Sequence, residues 1–180
     1  MNLSPELVGP TLELRPLEAA DRDGLHGAAS DPETWAGHPA KERWRREAFD
    51  PYFDFLLKAG GVLAVVERAT GRIIGGSRFY VPPERPETIA IGFTFLDRSF
   101  WGGATNFELK RLMLGHAFAS YPEVWFHIDP TNLRSQIATG RLGAVHVETR
   151  EIDISGKPAE WMCFRLDRDV WAEKVAEHDG

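Results

Sequence analysis

Apolar and polar residues alternate along the chain with two different periods, and the period predicts which element each segment forms. The first clear pattern is Leu12–Arg15, in which leucines alternate with charged residues as in a half-buried strand. Runs rich in β-branched and aromatic residues, together with shorter apolar segments, predict further strands. These strands cover residues 62–67, 72–80, 88–96, 124–127, 144–154 and 160–166.

Segments with helical spacing of apolar residues lie between these strands, at 18–29, 41–57, 105–120 and 132–141. Within the second of them, Asp50-Pro51 has the pattern of a capping residue followed by a first-turn proline, so it predicts a fresh helical start. Gly60 and Gly61 predict the end of that helix. Asp31-Pro32 predicts a loop, and the tail from Asp169 onward is compatible with a terminal helix.

The predicted order of elements is β-α-α-β-β-β-α-β-α-β-β, which is typical of an α/β protein with a mixed sheet and helices on its faces. Ala69-Thr70-Gly71 predicts a hairpin between the second and third strands. The 180 residues fit one domain, 1–180, and no repeat or low-complexity segment divides them.

Composition and charge narrow the function classes. The formal net charge of -6 argues against a nucleic-acid binder, which would show a basic face. No apolar run reaches the roughly 18 residues that a membrane span needs, and the segment Met1–Pro10 lacks the features of a secretory signal. The single cysteine, Cys163, lies in a strand-like run, so we expect a buried thiol in a cytoplasmic protein.

The segment Phe100–Glu108 combines glycines with a predicted helix start. Thr105 and Glu108 have the spacing of a capping box, and two glycines and an alanine precede them. Small residues before a helix N-terminus allow backbone N–H groups to hold a pyrophosphate. A glycine-rich turn into a core helix explains the same pattern, and spacing alone favours that turn. The sequence contains no nucleoside-triphosphate loop, no dinucleotide-binding fingerprint and no zinc spacing.

Three motifs in the right order resemble the GNAT superfamily of N-acetyltransferases. Gly102 and Ala104 match the family's cofactor loop, [QR]-x-x-G-x-[GA], in which Ser99 replaces the usual Gln or Arg. Asn132–Ser135 fits N-x-x-S at the start of a later helix, and Ile91–Leu96 is similar to the strand beside the thioester. The resemblance covers about Leu12 to Trp171. It is strongest to the branch related to ribosomal-protein N-terminal alanine acetyltransferases.

The resemblance implies a mostly antiparallel sheet of about seven strands. It also implies that acetyl-CoA supplies the acetyl group and that no metal takes part. In the implied mechanism a primary amine attacks the thioester directly, in a ternary complex. It implies a backbone N–H donor on Ile91–Leu96 for the developing oxyanion. It makes Ser135 the candidate general acid, directly or through water. A helix cap at Asn132 and an ordinary helical role for Ser135 remain alternatives. The implied cofactor-binding residues are Phe95, Leu96, Trp101, Gly102, Gly103, Ala104, Thr105, Asn106, Asn132 and Ser135.

The general base and the acceptor stay open at this point. His127 has a suitable ordinary pKa, near 6.5, although a packed or solvated histidine is the favoured interpretation from the sequence alone. Glu87 and a bound water are further candidates. The acceptor can be a peptide N-terminus, a free amino acid, a polyamine or an aminoglycoside, and a homodimer is left open. Two rival classes are a non-catalytic acyl-CoA-binding module with the same fold and a structural domain without a ligand.

Overall fold

The computed structural model describes residues 1–180 as one eight-stranded sheet with six helices. Neighbouring strands follow the order β1-β2-β3-β4-β5-β6-β8-β7, and every pair is antiparallel except β5 with β6. The strands are β1 (Leu7–Val8), β2 (Leu12–Pro16), β3 (Val62–Glu67), β4 (Ile73–Tyr80), β5 (Ile89–Leu96), β6 (Glu123–Ile128), β7 (Val145–Asp153) and β8 (Pro158–Asp167). The helices are α1 (Arg22–Ala29), α2 (Pro32–Trp35), α3 (Arg46–Ala59), α4 (Thr105–Phe118), α5 (Leu133–Arg141) and α6 (Arg168–Asp179).

The two faces of the sheet carry separate apolar cores. On one face, Leu109 and Met113 of α4 and Trp171 of α6 pack on the sheet. On the other face, the core is formed by α1 and α3, with Phe53 of α3 at its centre. A third, smaller apolar cluster contains Tyr80 and lies next to the core of α1 and α3, since Phe93 packs against both. None of the six helices is long and apolar enough to cross a bilayer.

The predicted mixed α/β fold is confirmed, with eight strands rather than seven because the two-residue β1 is too short to give a pattern. The predicted helix start at Asp50-Pro51 is wrong, since α3 begins at Arg46 and continues through Pro51. An ion pair between Arg46 and Asp50 (3.1 Å) supports this first turn. The predicted loop at Asp31-Pro32 is a one-turn helix, α2, in which Asp31 accepts the N–H of Glu33 at 2.9 Å.

The sheet opens between its two parallel strands. β5 and β6 pair only at Ile89 with Val124 and at Ala90 with Trp125, and both strands then continue without pairing. Beyond this point Phe93 has a φ of 54°, a left-handed conformation that is rare for a bulky residue. The pairing of β4 with β5 also shifts register here. An irregular backbone therefore borders the opening, as is common beside functional sites.

Candidate active site

The loop that leads into α4 has six consecutive free N–H groups. The predicted capping box is wrong: Ala104 is the N-cap and no side chain caps the helix. The Glu108 carboxylate instead accepts the N–H groups of Thr11 (2.8 Å) and Leu12 (3.0 Å), on the neighbouring strand. The N–H groups of residues 102–107 consequently donate to no group of the chain. A helix start with free N–H groups favours an anion.

The loop also leaves room for a ligand to approach its backbone. Gly102 has a φ of +74°, and a Cβ on Gly102 or Gly103 would meet no atom within 4 Å. Trp101 fixes the loop to β5 by donating its indole N–H to the carbonyl of Leu96 (3.0 Å). The guanidinium of Arg134 lies 3.6 Å from the centroid of the Trp101 ring. Burial and the nearby Arg98 lower the pKa of Arg134, which has no acidic partner. The surroundings therefore fit a pyrophosphate.

A cavity of about 420 Å³ extends from this loop between the starts and ends of three helices. Gly103 and Asn106 form its side on α4, Arg141 closes it at the end of α5, and Lys174 contributes from α6. Asn106 and Gly103, both implied cofactor residues, thus face one space together. Lys174 is paired with Glu177 (3.3 Å), which also lines the cavity, whereas Arg141 has no acidic partner, so one cation beside the loop is free for a phosphate.

The opening between β5 and β6 is polar on the side of α4. Lys110 of α4 is buried and donates to Thr94 Oγ1 of β5 at 3.3 Å. Thr94 Oγ1 also shares a hydrogen bond with Ser77 Oγ (2.7 Å). The Lys110 ammonium lies 5.6 Å from the centroid of Phe126 on β6. Burial lowers the pKa of Lys110 to about 8, and no carboxylate offsets this. The lysine therefore has free donors beside the opening.

The start of α5 combines a cap with an unused hydroxyl. The Oδ1 atom of Asn132 accepts the N–H of Ser135 at 3.3 Å, so the helix-cap interpretation of Asn132 holds in the structure. Its amide N–H₂ group and the Ser135 hydroxyl make no hydrogen bond within the chain. Both groups are half-buried, and they are free to contact a ligand.

His127 belongs to a buried chain of hydrogen bonds on the opposite face of the opening. Its Nε2 atom lies 2.7 Å from Glu84 Oε1, and its Nδ1 atom lies 2.7 Å from the Tyr80 hydroxyl. Glu84 accepts from Nε2–H as a carboxylate, so in neutral His127 the Nδ1 atom accepts the Tyr80 proton. A Cβ on Gly92 would lie 3.3 Å from the Tyr80 oxygen. The hydrogen-bonded chain therefore ends beside β5, just past its last pair with β6.

The charges of this chain of hydrogen bonds favour a neutral imidazole beside a carboxylate. Burial lowers the pKa of His127, and the hydrogen bond that His127 donates to Glu84 only partly offsets this lowering. Burial raises the pKa of Glu84, but hydrogen bonds from His127 and Arg85 outweigh this, so its pKa lies below the usual value. The second carboxylate oxygen of Glu84 is buried and has no partner. The carboxylate therefore still has an acceptor free.

Three metal-ligating side chains meet in this region, although no spacing in the sequence indicates it. Ligand atoms of Glu84, His127 and Cys163 lie within 4.8 Å of one another. Both nitrogens of His127 are already hydrogen-bonded. Burial raises the pKa of the Cys163 thiol to about 11, which disfavours the thiolate that binds metals. The geometry thus suits proton transfer better than metal binding.

The other sequence-predicted residues lie in three kinds of place. Glu87 is exposed and makes no hydrogen bond, so it lies outside the chain of hydrogen bonds that Glu84 of the same loop joins. Phe95 and Leu96 are buried in opposite cores, so only their backbone groups reach the opening. Thr105 is half-buried at the first turn of α4.

An α/β sheet that opens between two parallel strands, with a loop of free N–H groups at one end and a buried chain of hydrogen bonds at the other, suits a transferase with a long phosphorylated carrier. The sequence profile of the acetyltransferase (GNAT) domain matches residues 11–145. The chain therefore belongs to the GNAT acetyltransferase family, and it is an N-acetyltransferase. The predicted family is confirmed, whereas the particular branch is not.

Solved structures share the fold at low sequence identity. A GCN5-related N-acetyltransferase from Brucella melitensis superposes with a TM-score of 0.77 at 18% identity, over 97% of this chain and 84% of that one. A GNAT-family acetyltransferase from Bacillus anthracis gives 0.69 at 15%, over 92% and 99%. The aminoglycoside acetyltransferase AAC(6')-Ib, in complex with coenzyme A and kanamycin, gives 0.63 at 15%, over 91% and 98%. No curated protein matches the chain.

Proposed function

We propose that the protein transfers the acetyl group of acetyl-CoA directly to a primary amine, without an acetylated enzyme. The observation that carries the proposal is the order of three features along β5, a path from the loop to the proton acceptor. The free N–H groups of residues 102–107 follow the end of the strand, the opening towards β6 begins after Ala90, and the Tyr80 hydroxyl lies beside Gly92. The acceptor is a small-molecule amine or a peptide N-terminus, as in the ribosomal-protein branch that the sequence resembles.

In this proposal the chain's own groups bind the carrier along that path. The N–H groups of residues 102–107 hold the pyrophosphate, and Trp101 with Arg134 forms the wall of the loop. Lys110 and the amide of Asn132 donate to carbonyl oxygens of the carrier arm. Acetyl-CoA supplies an activated acyl group, and the backbone of β5 beside Phe93 stabilises the charge that develops on its oxygen.

Two proton transfers complete the proposed reaction. The amine nitrogen forms a bond to the acetyl carbon, the carbon–sulfur bond breaks, and the amine loses a proton. Tyr80 accepts that proton while its own passes to His127 Nδ1, and Glu84 stabilises the imidazolium. The Ser135 hydroxyl, directly or through water, donates a proton to the thiolate and takes one up from solvent, to which the His127 imidazolium later releases its own. His127 thus acts through Tyr80 rather than by touching the amine.

Binding and turnover test the proposal separately. We expect acetyl-CoA to raise the midpoint of thermal unfolding with ligand concentration, because a ligand of the native state alone adds to stability. We also expect thiol release with at least one member of an amine panel. If acetyl-CoA raises the unfolding midpoint but no amine releases thiol, the protein is a binding module and not an enzyme. If acetyl-CoA does not change the midpoint, it is not the cofactor.

The first substitution tests the loop. Gly103→Val should weaken CoA binding by about 10- to 100-fold, which corresponds to the loss of hydrogen bonds to a charged group. The added side chain meets open space in the protein, so folding should be preserved, and it can obstruct only a ligand. Gly115→Val is the matched control, since a Cβ there also meets nothing and lies on the exposed face of the same helix. If calorimetry gives the same CoA affinity for the native protein and for Gly103→Val, the loop does not bind the cofactor and is only a turn.

The second substitution tests direct transfer. Cys163→Ala should leave kcat essentially unchanged, because the thiol is buried on β8 and its raised pKa keeps it protonated. Mass measurement of the native enzyme after exposure to acetyl-CoA alone should show no added acetyl group. Loss of activity in the variant, together with an adduct on Cys163, would establish an acetyl-enzyme instead.

A further inference from the structure

Three arginines without an acidic partner lie around the active site. Arg43, Arg78 and Arg134 have pKa values lowered by burial, and none forms a salt bridge. Arg134 lies beside the cofactor loop, on the Trp101 ring. Arg43 and Arg78 lie instead on the face of α1 and α3, where the proposed cofactor path supplies no anion. These two charges therefore need another explanation.

Arg43 has a guanidinium with all its donors free. It makes no side-chain hydrogen bond within the chain and lies against two aromatic rings, 3.7 Å from the Tyr52 centroid and 5.2 Å from the Trp35 centroid. Trp35 in turn contacts Phe95 of β5, with the centroids 5.2 Å apart. The guanidinium is thus held in place by stacking while its hydrogen-bond donors stay available.

Part of the hydrogen-bonding capacity of Arg78 is used to hold the end of α3. Its Nε atom donates to the carbonyl of Gly60 at 2.9 Å, and Nη2 lies 3.5 Å from the carbonyl of Ala59, at the end of α3. Nη1 has no partner in the chain. The guanidinium lies 5.1 Å from the Phe93 centroid and 5.3 Å from the Tyr80 centroid. Arg78 therefore reaches both the irregular strand and the end of the proton path.

Both arginines flank one face of α3, because Arg43 lies on the Tyr52 ring and Arg78 lies 5.9 Å from the centroid of Phe55, one helical turn further on. Burial raises the pKa of Tyr52, and the charges of Arg43 and Arg78 oppose this rise. The Tyr52 hydroxyl makes no hydrogen bond in the chain. No carboxylate contributes to the electrostatics of either guanidinium. Two cations thus flank this face of α3, and Arg78 extends it to Tyr80, with an apolar wall formed by Phe55 and Phe93.

We infer that the acceptor amine carries a carboxylate, which Arg43 and Arg78 bind while the amine faces Tyr80. This inference rests on the proposed acetyl transfer and names the class of its acceptor as an amino acid with an apolar side chain. Guanidinium groups pair with carboxylates through parallel N–H···O bonds. A polyamine or an aminoglycoside would add cations to a site with two uncompensated ones, which is unfavourable at half-buried positions.

The decisive experiment measures binding of products, which need no turnover. N-acetylglycine, N-acetylleucine and N-acetylphenylalanine would be titrated calorimetrically into the protein with CoA present, beside the N-methylamide of each. At least one acid should bind about 10- to 100-fold more tightly than its amide, as expected for charge-assisted hydrogen bonds. Equal binding of acids and amides, or binding of neither, overturns the inference.

Variants then locate the carboxylate. Arg43→Gln should bring the ratio of acid to amide affinity close to one while CoA affinity stays unchanged. Arg45→Gln is the matched control, since Arg45 is exposed and paired with Glu42 at 2.6 Å. Arg43→Lys keeps the charge without the planar donor pair and should give an intermediate ratio. An unchanged ratio in folded Arg43→Gln would also overturn the inference. Loss of CoA binding in the native protein would instead contradict the proposed function.

Discussion

Replacing Tyr80 by phenylalanine is expected to lower kcat by about 10²- to 10⁴-fold, the range for loss of a positioned acid or base. The KM for acetyl-CoA should change little, because the hydroxyl faces Gly92 and His127 rather than the loop of residues 102–107. Thiol release at saturating substrates measures the change. Tyr121→Phe is the matched control, since Tyr121 is half-buried at the end of α4 and its hydroxyl has no partner.

The pH profile adds a check that a structural role for Tyr80 would not produce. Burial lowers the pKa of His127, so neutral imidazole persists below the ordinary value near 6.5. In the native enzyme the acidic fall in kcat should therefore occur below that value. In Tyr80→Phe this dependence should disappear, because the proton no longer passes through His127. An unchanged kcat in the variant would mean that water removes the proton directly.

Acidification from pH 6.5 to pH 4 should remove about 3 kcal/mol of stability through His38. Burial, reinforced by Arg43, lowers the pKa of His38 to about 4. Its Nδ1 atom accepts the N–H of Ala40 at 2.9 Å, which the protonated ring cannot do. The folded pKa lies below the unfolded one, so the unfolded chain binds more protons between these values. Stability is thus complete above pH 6.5 and falls as the pH decreases towards 4.

Urea unfolding at several pH values measures this loss, and a substitution isolates the contribution of His38. His38→Asn retains an acceptor for the Ala40 N–H but does not titrate, so its stability should depend less on pH over this range. His146→Asn, at an exposed position on β7, should retain the native dependence. Parallel curves for the native protein and His38→Asn would assign the acid sensitivity to other groups.

The long elements of the fold could be predicted because each has a periodic pattern that tertiary contacts reinforce. The wrong predictions concern short features, such as a helix cap or a helix start, whose structure depends on residues that are distant in the sequence. The Thr105 and Glu108 pattern is that of a capping box, yet Glu108 bonds to Thr11, which lies 97 positions earlier. Asp50-Pro51 resembles a helix start, but Arg46 and Arg22 bind Asp50 inside a helix that has already begun.

The site was predictable where a motif marks it and hidden where only the fold assembles it. The loop at Gly102 and the cap at Asn132 follow from short patterns. His127 was a candidate by residue type, but its partners lie 43 positions away at Glu84 and 47 at Tyr80. An arginine such as Arg43 cannot be recognised as unpaired from the sequence, because the absence of a carboxylate nearby is a property of the packing.

The short pairing of β5 with β6 divides the hydrogen bonding of the sheet into two units that are each continuous in sequence. Strands β1 to β5 come from residues 7–96 and strands β6 to β8 from residues 123–167, and only two residue pairs join the two sets. The apolar core under α4 spans both units, so opening at this boundary would be a local event and not a complete separation. A ligand seated along this boundary would link the units mechanically. Amide hydrogen exchange would then slow on both sides at once, including in strands that the ligand does not touch.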